Sequence, residues 1–310
     1  MRIIPPIYSP SCTAAITRFS GGGVRTTVVK IVLTIAVGLV AWPVQTSAQP
    51  YERPARDDPS IFMAEYTHGA YNMAYAYAGD VSKPGILFVH GTPGEWQAFG
   101  MYLNNRSLQA DYFMVSVDRI GWGRSTINQD MLAEQQAKSV LFSEQADSIT
   151  ALMDRYQDKK WILVGHSLGA SIVPKVAIRE EHRVVGMVLL AGSLQPSLGR
   201  PRWYNRLAST LLIKWMIPEM FRYSNDEIMV LRRELKVMED EILAREHTTQ
   251  AVVIQGMTDK LVSPRNIKYV RETWPAAFPN LRTIELPQSG HFIPWEHTDL
   301  VIQNIRSIKY

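Results

Sequence analysis

Short and almost uninterrupted apolar runs recur along this chain, and they limit its fold more than any other feature. Three of them read ILFV at residues 86–89, WILV at 161–164 and VVGMVLL at 184–190. A strand with one solvent-facing side alternates apolar and polar residues, whereas a strand buried on both faces does not. The runs therefore predict strands of a parallel sheet with helices covering both of its faces.

Strands and helices are predicted to alternate from about residue 61 onward. The eight predicted strands are Ile61–Tyr66, Tyr71–Tyr77, Ile86–His90, Phe113–Asp118, Trp161–Gly165, Val184–Ala191, Ala251–Gln255 and Arg282–Leu286. The predicted helices outside the interruption described next are Ser143–Asp158, Leu168–Glu181, Pro264–Thr273 and Asp299–Ser307. This order predicts the α/β class, with a mostly parallel eight-stranded sheet flanked by helices.

The stretch from residue 196 to about 248 interrupts the alternation, because it contains no predicted strand and two predicted helices. The first, Trp203–Phe221, carries more apolar residues than one helix face needs, although ordinary packing against the sheet accounts for most of them. The second opens with Ser224 and Glu227, which have the spacing of a capping box. We expect this stretch to be a helical cap inserted after the sixth strand.

The N-terminal segment has the pattern of an export signal. An apolar run at residues 31–42 follows Lys30, and the small residues Thr46 and Ala48 precede Gln49. A membrane-spanning helix needs about 20 apolar residues, so this run is short for one. We expect residues 1–48 to be a cleaved signal peptide, with a retained anchor that tethers the protein through the apolar run as the alternative.

The expected domain organisation follows from that signal. Residues 49–60 are charged and rich in proline, so they are predicted to be a linker, and residues 61–310 are predicted to be the folded domain. The signal predicts a periplasmic or secreted protein. The anchor alternative would hold the same domain at the inner membrane.

Charge and cysteine content exclude several kinds of function for that domain. The chain has 33 Lys and Arg against 29 Asp and Glu, but residues 1–48 hold four of the basic residues and no acidic one, so the rest is balanced. A nucleic-acid-binding domain would need a basic surface. The only cysteine is Cys12, which leaves the domain without disulfides, cysteine-ligated metals or a cysteine nucleophile.

The strongest chemical motif is Gly165-His166-Ser167-Leu168-Gly169, which fits G-x-S-x-G between a predicted strand and a predicted helix. In that context the serine lies on a sharp turn with its hydroxyl exposed at the carboxyl edge of the sheet. A side chain at either glycine would collide with the neighbouring strand or helix. We therefore interpret Ser167 as a nucleophile.

A nucleophilic serine needs a base and a residue that orients the base. Of the seven histidines, His291 follows the last predicted strand on a Ser-Gly turn, which brings its side chain to the same edge of the sheet. Asp259 follows the strand Ala251–Gln255, and the loop after the strand Val184–Ala191 offers no acid. By elimination Asp259 is the orienting residue; a merely turn-forming aspartate is the alternative.

Two backbone N–H groups are expected to bind the negatively charged oxygen that forms when a serine attacks a carbonyl. Leu168 directly follows the nucleophile and opens a helix, whose N-terminus favours negative charge. Thr92 lies in the sequence His90-Gly91-Thr92-Pro93-Gly94 after the third predicted strand, where the second donor usually arises. Pro93 has no N–H, so few other donors are available in this loop.

Three motifs carry a resemblance to a known family. HG-x-P at residues 90–93, D-x-x-G-x-G-x-S at 118–125 and G-x-S-x-G at 165–169 occur in the order found in the α/β-hydrolase superfamily. Residues 61–310 resemble its serine-nucleophile, esterase- and lipase-like branch. The resemblance implies the α/β-hydrolase fold with a cap after the sixth strand, and it places Ser167, Asp259 and His291 at the positions of the catalytic triad.

The sequence also departs from some members of that superfamily. Epoxide hydrolases and haloalkane dehalogenases have an aspartate where Ser167 stands. The HGTPG loop is similar to that of proline iminopeptidases, but these usually have tryptophan where Leu168 stands. The elbow GHSLGAS is more like those of carboxylesterases, lipases and carbon–carbon bond hydrolases.

The expected function is hydrolysis of a small-molecule or lipid-like carboxylic ester through an acyl-enzyme, with no cofactor, no metal and no nucleic acid. Ester hydrolysis is the commonest chemistry of this set of residues. Two alternatives within enzymes are a carbon–carbon bond hydrolase and a peroxidase-type hydrolase. An alternative of a different class is a non-catalytic binding protein on the same fold.

Overall fold

The computed structural model describes residues 60–128, 132–214 and 216–310. The predicted signal peptide or anchor lies outside these residues, as does the predicted linker apart from Ser60. In this described part of the chain, no helix is both long enough and apolar enough to cross a membrane.

The described strands form one sheet of nine strands in the order β1-β2-β4-β3-β6-β7-β8-β9, with β5 paired to β2. The strands are β1 Phe62–His68, β2 Tyr71–Ala78, β3 Gly85–Val89, β4 Phe113–Val117, β5 Thr126–Ile127, β6 Trp161–His166, β7 Val184–Leu190, β8 Gln250–Gly256 and β9 Leu281–Leu286. β2 pairs antiparallel with β1, β4 and β5. The remaining neighbours in the sheet, β4-β3, β3-β6, β6-β7, β7-β8 and β8-β9, pair parallel. The predicted α/β-hydrolase fold with a mostly parallel sheet is confirmed.

The ninth strand, β5, is not among the eight that the sequence predicts. It has only two residues, which pair with Tyr71 and Asn72 at the start of β2. Two residues are too few to show the alternation that identifies a strand. Every other strand lies within two or three residues of its predicted bounds.

The helices cover both faces of the sheet. They are α1 Gly100–Leu103, α2 Arg106–Asp111, α3 Leu132–Ser139, α4 Phe142–Met153, α5 Leu168–Arg179, α6 Trp203–Ala208, α7 Leu211–Lys214, α8 Glu219–Leu243, α9 Arg265–Thr273, α10 Ile293–Glu296 and α11 Thr298–Arg306. Successive residues of the central strands enter different cores: Leu163 packs in one and Val164 in the other. Burial on both faces is the reason that these strands have continuous apolar sequences.

Helices α6, α7 and α8 lie between β7 and β8, where the sequence predicts a helical cap. The predicted first helix, Trp203–Phe221, is wrong as one element, because α6 ends at Ala208 and α8 begins at Glu219. The predicted helix start, with Ser224 in a capping box, is also wrong, since Ser224 lies inside α8. Proline disfavours helical conformation in the residue before it and suits a helix start, and Pro218 is the N-cap of α8.

The 25-residue helix α8 packs on the sheet domain through one apolar stripe. Leu231, Leu235, Met238 and Ile242 are buried and belong to the same core as α4 and α5. They recur every three or four residues, which aligns them along one side of the helix. This packing attaches the long helix firmly to the face of the sheet that carries α5.

Candidate active site

Ser167 stands on a strained turn between β6 and α5. Its backbone has φ +54° and ψ −120°, a conformation that residues other than glycine rarely adopt. A Cβ at Gly165 would lie 2.6 Å from the carbonyl oxygen of Gly169, and a Cβ at Gly169 would lie 2.1 Å from that of Val89. Both glycines are therefore required for strand, turn and helix to approach this closely.

The turn joins a helix N-terminus to the loop that follows β3. Leu168 is the first residue of the 12-residue helix α5, and N–H groups in a first helical turn have no partner within the helix. The loop passes directly beside the serine, since a Cβ at Gly91 would lie 2.8 Å from Cβ of Ser167. Thr92 follows in that loop, and its Oγ1 is buried without a hydrogen-bond partner among the described residues. Leu168 and Thr92 thus occupy the two segments that border Ser167.

His291 and Asp259 form a buried pair in the loops after β9 and β8. His291 Nδ1 lies 2.7 Å from Asp259 Oδ2, and Asp259 Oδ1 accepts the backbone N–H groups of Leu261 at 2.8 Å and Val262 at 2.9 Å. Because a carboxylate only accepts hydrogen bonds, Nδ1 carries the hydrogen and donates it. The other ring nitrogen, Nε2, is left with a lone pair that can accept a proton.

His166, the residue before the serine, connects the elbow to the histidine loop. Its Nε2 donates to the carbonyl oxygen of His291 at 2.9 Å, and the two rings lie 4.8 Å apart between centroids. Burial and the neighbouring His291 lower the pKa of His166 to about 3, so its ring stays neutral in ordinary conditions. Sequence reasoning did not find this contact, because the two residues are 125 positions apart.

The remaining described histidines have other surroundings. His90 is buried, and its Nε2 accepts the N–H of Arg119; burial and the Arg119 charge hold its pKa well below the usual value. His247 contacts Glu181, and His297 contacts the hydroxyl of Ser289. In the described part of the chain, His291 is the histidine that is hydrogen-bonded to Asp259.

A buried ion pair joins the cap helix α8 to the loop that carries Thr92. Arg119, in the loop after β4, donates from Nε to the carbonyl oxygen of His90 at 3.0 Å and from Nη2 to that of Gly91 at 2.8 Å. Its Nη1 lies 2.5 Å from Oε1 of Glu227 on α8, and both side chains are almost completely buried. The sequence indicated Glu227 only as part of a capping box, and no pattern pointed to its pairing with Arg119, 108 residues away.

Asp118, at the start of the loop after β4, links that loop to the segment after β3. Its Oδ1 accepts the N–H of Trp96 at 2.7 Å, and its Oδ2 accepts that of Arg124 at 2.9 Å. Burial raises the pKa of Asp118 to about 6, against the opposing effect of these two hydrogen bonds. The acid of the D-x-x-G-x-G-x-S motif therefore organises backbone beside the site.

The candidate triad does not line the cavity near the start of the cap. A cavity of about 330 Å³ lies near the start of the cap, and its lining includes Gln195, Leu198, Arg265 and Tyr269 but not Ser167, Asp259 or His291. Among the described residues, no three histidine, aspartate, glutamate or cysteine side chains cluster as metal ligands would.

Comparisons with known proteins agree with this architecture. Residues 86–304 match a family described as "Alpha/beta hydrolase family". A stretch of 153 residues is 24% identical to human "Epoxide hydrolase 4"; it covers 46% of this chain and 40% of that protein, so the chain spans less than half the length of this relative.

Solved structures are similar across most of the chain. A mutant of an epoxide hydrolase from Vigna radiata matches with a TM-score of 0.63 at 14% identity, covering 81% of this chain and 99% of that one. A 2-hydroxy-6-oxo-6-phenylhexa-2,4-dienoate hydrolase from Rhodococcus sp. strain RHA1 matches with a TM-score of 0.59 at 16% identity, covering 80% and 98%. At these identities the similarity concerns the fold.

Proposed function

Because the chain belongs to the alpha/beta hydrolase family, we propose that it is a serine hydrolase that cleaves carboxylic esters. The observation that carries the proposal is the arrangement at one edge of the sheet. Ser167 lies on a strained turn at the start of α5, and His291, oriented by Asp259, is attached to that turn through His166. Activation of a weak serine nucleophile requires a base that is oriented by a third group, and this combination of residues supports the proposal.

The proposed reaction begins with attack by Ser167 Oγ on the ester carbonyl carbon. His291 Nε2 takes the hydroxyl proton, the carbonyl π electrons move to oxygen, and the N–H groups of Thr92 and Leu168 stabilise that charge. The tetrahedral species then collapses, the C–O bond to the alcohol breaks, and His291 protonates the departing alcohol. Water attacks the acyl-enzyme in the same way, which releases the carboxylic acid and restores Ser167.

Asp259 acts through His291. Its Oδ2 accepts the Nδ1 hydrogen, which holds the imidazole in the tautomer whose Nε2 can take the serine proton. Its Oδ1 is anchored by two backbone N–H groups, so the carboxylate cannot turn away from the histidine. Asp259 also stabilises the positive charge that forms on the ring during the reaction.

The serine separates this proposal from epoxide hydrolysis. The epoxide hydrolases that resemble this branch attack with an aspartate, whereas this chain has Ser167 at the elbow. Attack by a serine on an ester gives an acyl-enzyme through a tetrahedral oxyanion, whose charge the N–H groups of Thr92 and Leu168 would stabilise. The similarity to the epoxide hydrolases therefore supports the fold of the proposal and not its substrate.

Active-site labelling with a fluorophosphonate tests the nucleophile. We expect the wild-type protein to be labelled and Ser167→Ala to lose both labelling and hydrolysis of p-nitrophenyl esters. Ser171→Ala is the matched control, because Ser171 lies one helical turn away with its hydroxyl bound to the Ser193 carbonyl oxygen at 2.6 Å. The control is expected to be labelled normally.

Two results would contradict the proposal. One is persistent labelling of Ser167→Ala, which would place the nucleophile elsewhere. The other is turnover of an epoxide that exceeds turnover of every ester in a series of graded acyl chain length. If the esters are hydrolysed, the acyl chain length of the fastest substrate identifies the size of the acyl group that the site accepts.

A further inference from the structure

The first helix of the cap presents apolar and basic side chains to solvent together. On α6, Trp203 is 67% exposed and Leu207, one helical turn further on, is 45% exposed. Arg200 and Arg206 are exposed beside them. Exposed apolar side chains that adjoin one another form a patch of the kind that marks interaction sites on soluble proteins. This exposed group, Arg200, Trp203, Arg206 and Leu207, is called the α6 face below.

The charge of the surrounding segment is of one sign. Residues 182–218 contain five arginines and lysines and no aspartate or glutamate, although the chain as a whole has 29 acidic residues. Lys214 of this segment pairs with Asp226 of α8 and Arg183 pairs with Asp154 and Glu180, but neither arginine of the α6 face has an ion-pair partner among the described residues. The face therefore suits a partner that is negatively charged and also accepts apolar side chains.

The α6 face lies beside the loop of the orienting acid. Arg202, the residue before α6, donates from Nη2 to the carbonyl oxygens of Lys260 at 3.3 Å and Leu261 at 3.5 Å. Leu261 itself is 37% exposed, and its N–H donates to Asp259. Arg202 therefore connects the start of α6 to the loop that carries Asp259.

We propose that the α6 face docks on the surface of an anionic lipid bilayer. Tryptophan favours the boundary between head groups and acyl chains, leucine enters the apolar layer, and arginine pairs with anionic head groups. A second copy of the chain is a poor occupant, because two such faces would bring arginines together. With only two apolar side chains and two arginines, the docking is weak and reversible.

The docking does not depend on the chemistry proposed above. It concerns a surface of the cap, and Ser167 is not part of it. Where both hold, esters that partition into the bilayer would be delivered beside Asp259 and His291. Failure of one leaves the other intact: loss of vesicle binding says nothing of fluorophosphonate labelling, and loss of labelling says nothing of vesicle binding.

A local fluorescence readout tests the docking in the full chain. The apolar run at residues 31–42 can bind lipid by itself, so total binding would not identify the surface. With Cys12→Ser as background, Leu207→Cys carries a polarity-sensitive dye on the α6 face. Val81→Cys carries it at a control position that is 57% exposed, in the turn between β2 and β3 at the amino end of the parallel strands.

We expect a blue shift of the dye at position 207 with vesicles of phosphatidylcholine and phosphatidylglycerol, a weaker one with phosphatidylcholine alone, and none at position 81. The same shifts are expected when Ser167→Ala is added. Arg200→Gln and Arg206→Gln should each raise about fivefold the lipid concentration that gives half of the dye shift at position 207, since an arginine near an anionic surface contributes about 1 kcal/mol. Arg106→Gln, an exposed arginine on α2, is the control that should change nothing.

Three results would overturn the proposal. The first is no shift at position 207 with the mixed vesicles, and the second is an equal shift at position 81. The third is a shift at position 207 with soluble heparin and no vesicles, which would identify the partner as an acidic polymer and not a lipid surface.

Discussion

At the scale of single residues, the orientation of His291 rests on contacts from two sides. Asp259 accepts the hydrogen of its ring nitrogen, and His166 holds its backbone carbonyl oxygen. Gln255 at the end of β8 donates to Asp259 Oδ2, the oxygen that also accepts from His291, at 3.3 Å. The carboxylate is therefore also held by the strand that precedes its loop. His291 is thus positioned through both its side chain and its main chain, and each contact can be removed separately.

Asp259→Asn is expected to lower kcat for a soluble p-nitrophenyl ester on the order of 10⁴-fold. The asparagine amide would present a donor to Nδ1, which forces the hydrogen onto Nε2 and leaves no lone pair for the serine proton. Thermal melting should change little, because size and burial are conserved. Full activity in this variant would mean that another carboxylate orients His291.

His166→Gln and His166→Leu separate positioning from packing. Gln places an N–H near the position of the lost Nε2 and can keep the bond to the His291 carbonyl oxygen, whereas Leu cannot. We expect the Leu variant to lose up to about 100-fold in kcat with KM nearly unchanged, since small displacements of a base have effects of that size. The Gln variant should recover most of the rate. Equal losses in both variants would assign His166 a purely structural role.

The low pKa of His166 also predicts how stability depends on pH. The unfolded state binds a proton on this histidine near pH 6.5, whereas the folded state does not until about pH 3. The unfolded state therefore binds more protons in this window, and stability is complete above pH 6.5 and falls as the pH falls. Urea unfolding should show that His166→Gln reduces this loss by about 1.4 kcal/mol per pH unit below pH 6. An unchanged slope would show that His166 is protonated in the folded state.

At the scale of elements, α8 and the loop after β3 are coupled through Arg119. The arginine donates to the carbonyl oxygens of His90 and Gly91 and pairs with Glu227 on α8. Tyr223, one turn earlier on the same helix, donates to the Ile120 carbonyl oxygen at 2.9 Å. A helix of the insertion thereby supports the backbone that carries Thr92.

Glu227→Gln is expected to lower the free energy of unfolding by about 3 kcal/mol, because it leaves the buried Arg119 without a counter-charge. Ester hydrolysis should fall as well, since Glu227 would no longer hold Arg119, which contacts the loop that carries Thr92. Asp240→Asn on the same helix breaks an exposed pair with Lys236 and should change stability by no more than about 0.5 kcal/mol. Similar effects in the two variants, measured by urea unfolding, would contradict the coupling.

At the scale of the whole molecule, the folded domain is preceded by the apolar run at residues 31–42. We propose that the mature protein begins near Gln49 and works in the periplasm or outside the cell. The domain has no cysteine and needs no disulfide chemistry to be exported. A retained anchor would leave the domain in the same compartment.

N-terminal sequencing of protein from the periplasmic or culture fraction tests this processing. We expect the sequence to start near Gln49, and Ala48→Phe to block cleavage because the exit position requires a small residue. Ser47→Phe is the control, since the middle position of the small-x-small pattern tolerates size. An intact N-terminus in the membrane fraction would favour the anchor, and one in the cytosolic fraction would exclude both.

Local patterns in the sequence were sufficient for the layers of the fold and for the turn that carries Ser167. Burial on both faces leaves a continuous apolar run in each central strand, as in Val184–Leu190, and this can be recognised within a window of a few residues. The turn at Ser167 is recognisable in the same way, because strand, glycines and helix are adjacent in the chain.

The tertiary structure alone decided which distant residues meet. His166 contacts His291 across 125 positions and Arg119 contacts Glu227 across 108, and neither pair leaves a periodic signal in the sequence. The helix α8 begins before the predicted position Ser224 because Pro218 starts it, and Glu227 pairs with Arg119 instead of capping the helix. The sequence by itself determined which segments become strands, helices and the turn at Ser167, since these depend on neighbouring residues. Contacts across the fold depend on the order in which the sheet places its strands, and only the folded molecule establishes that order.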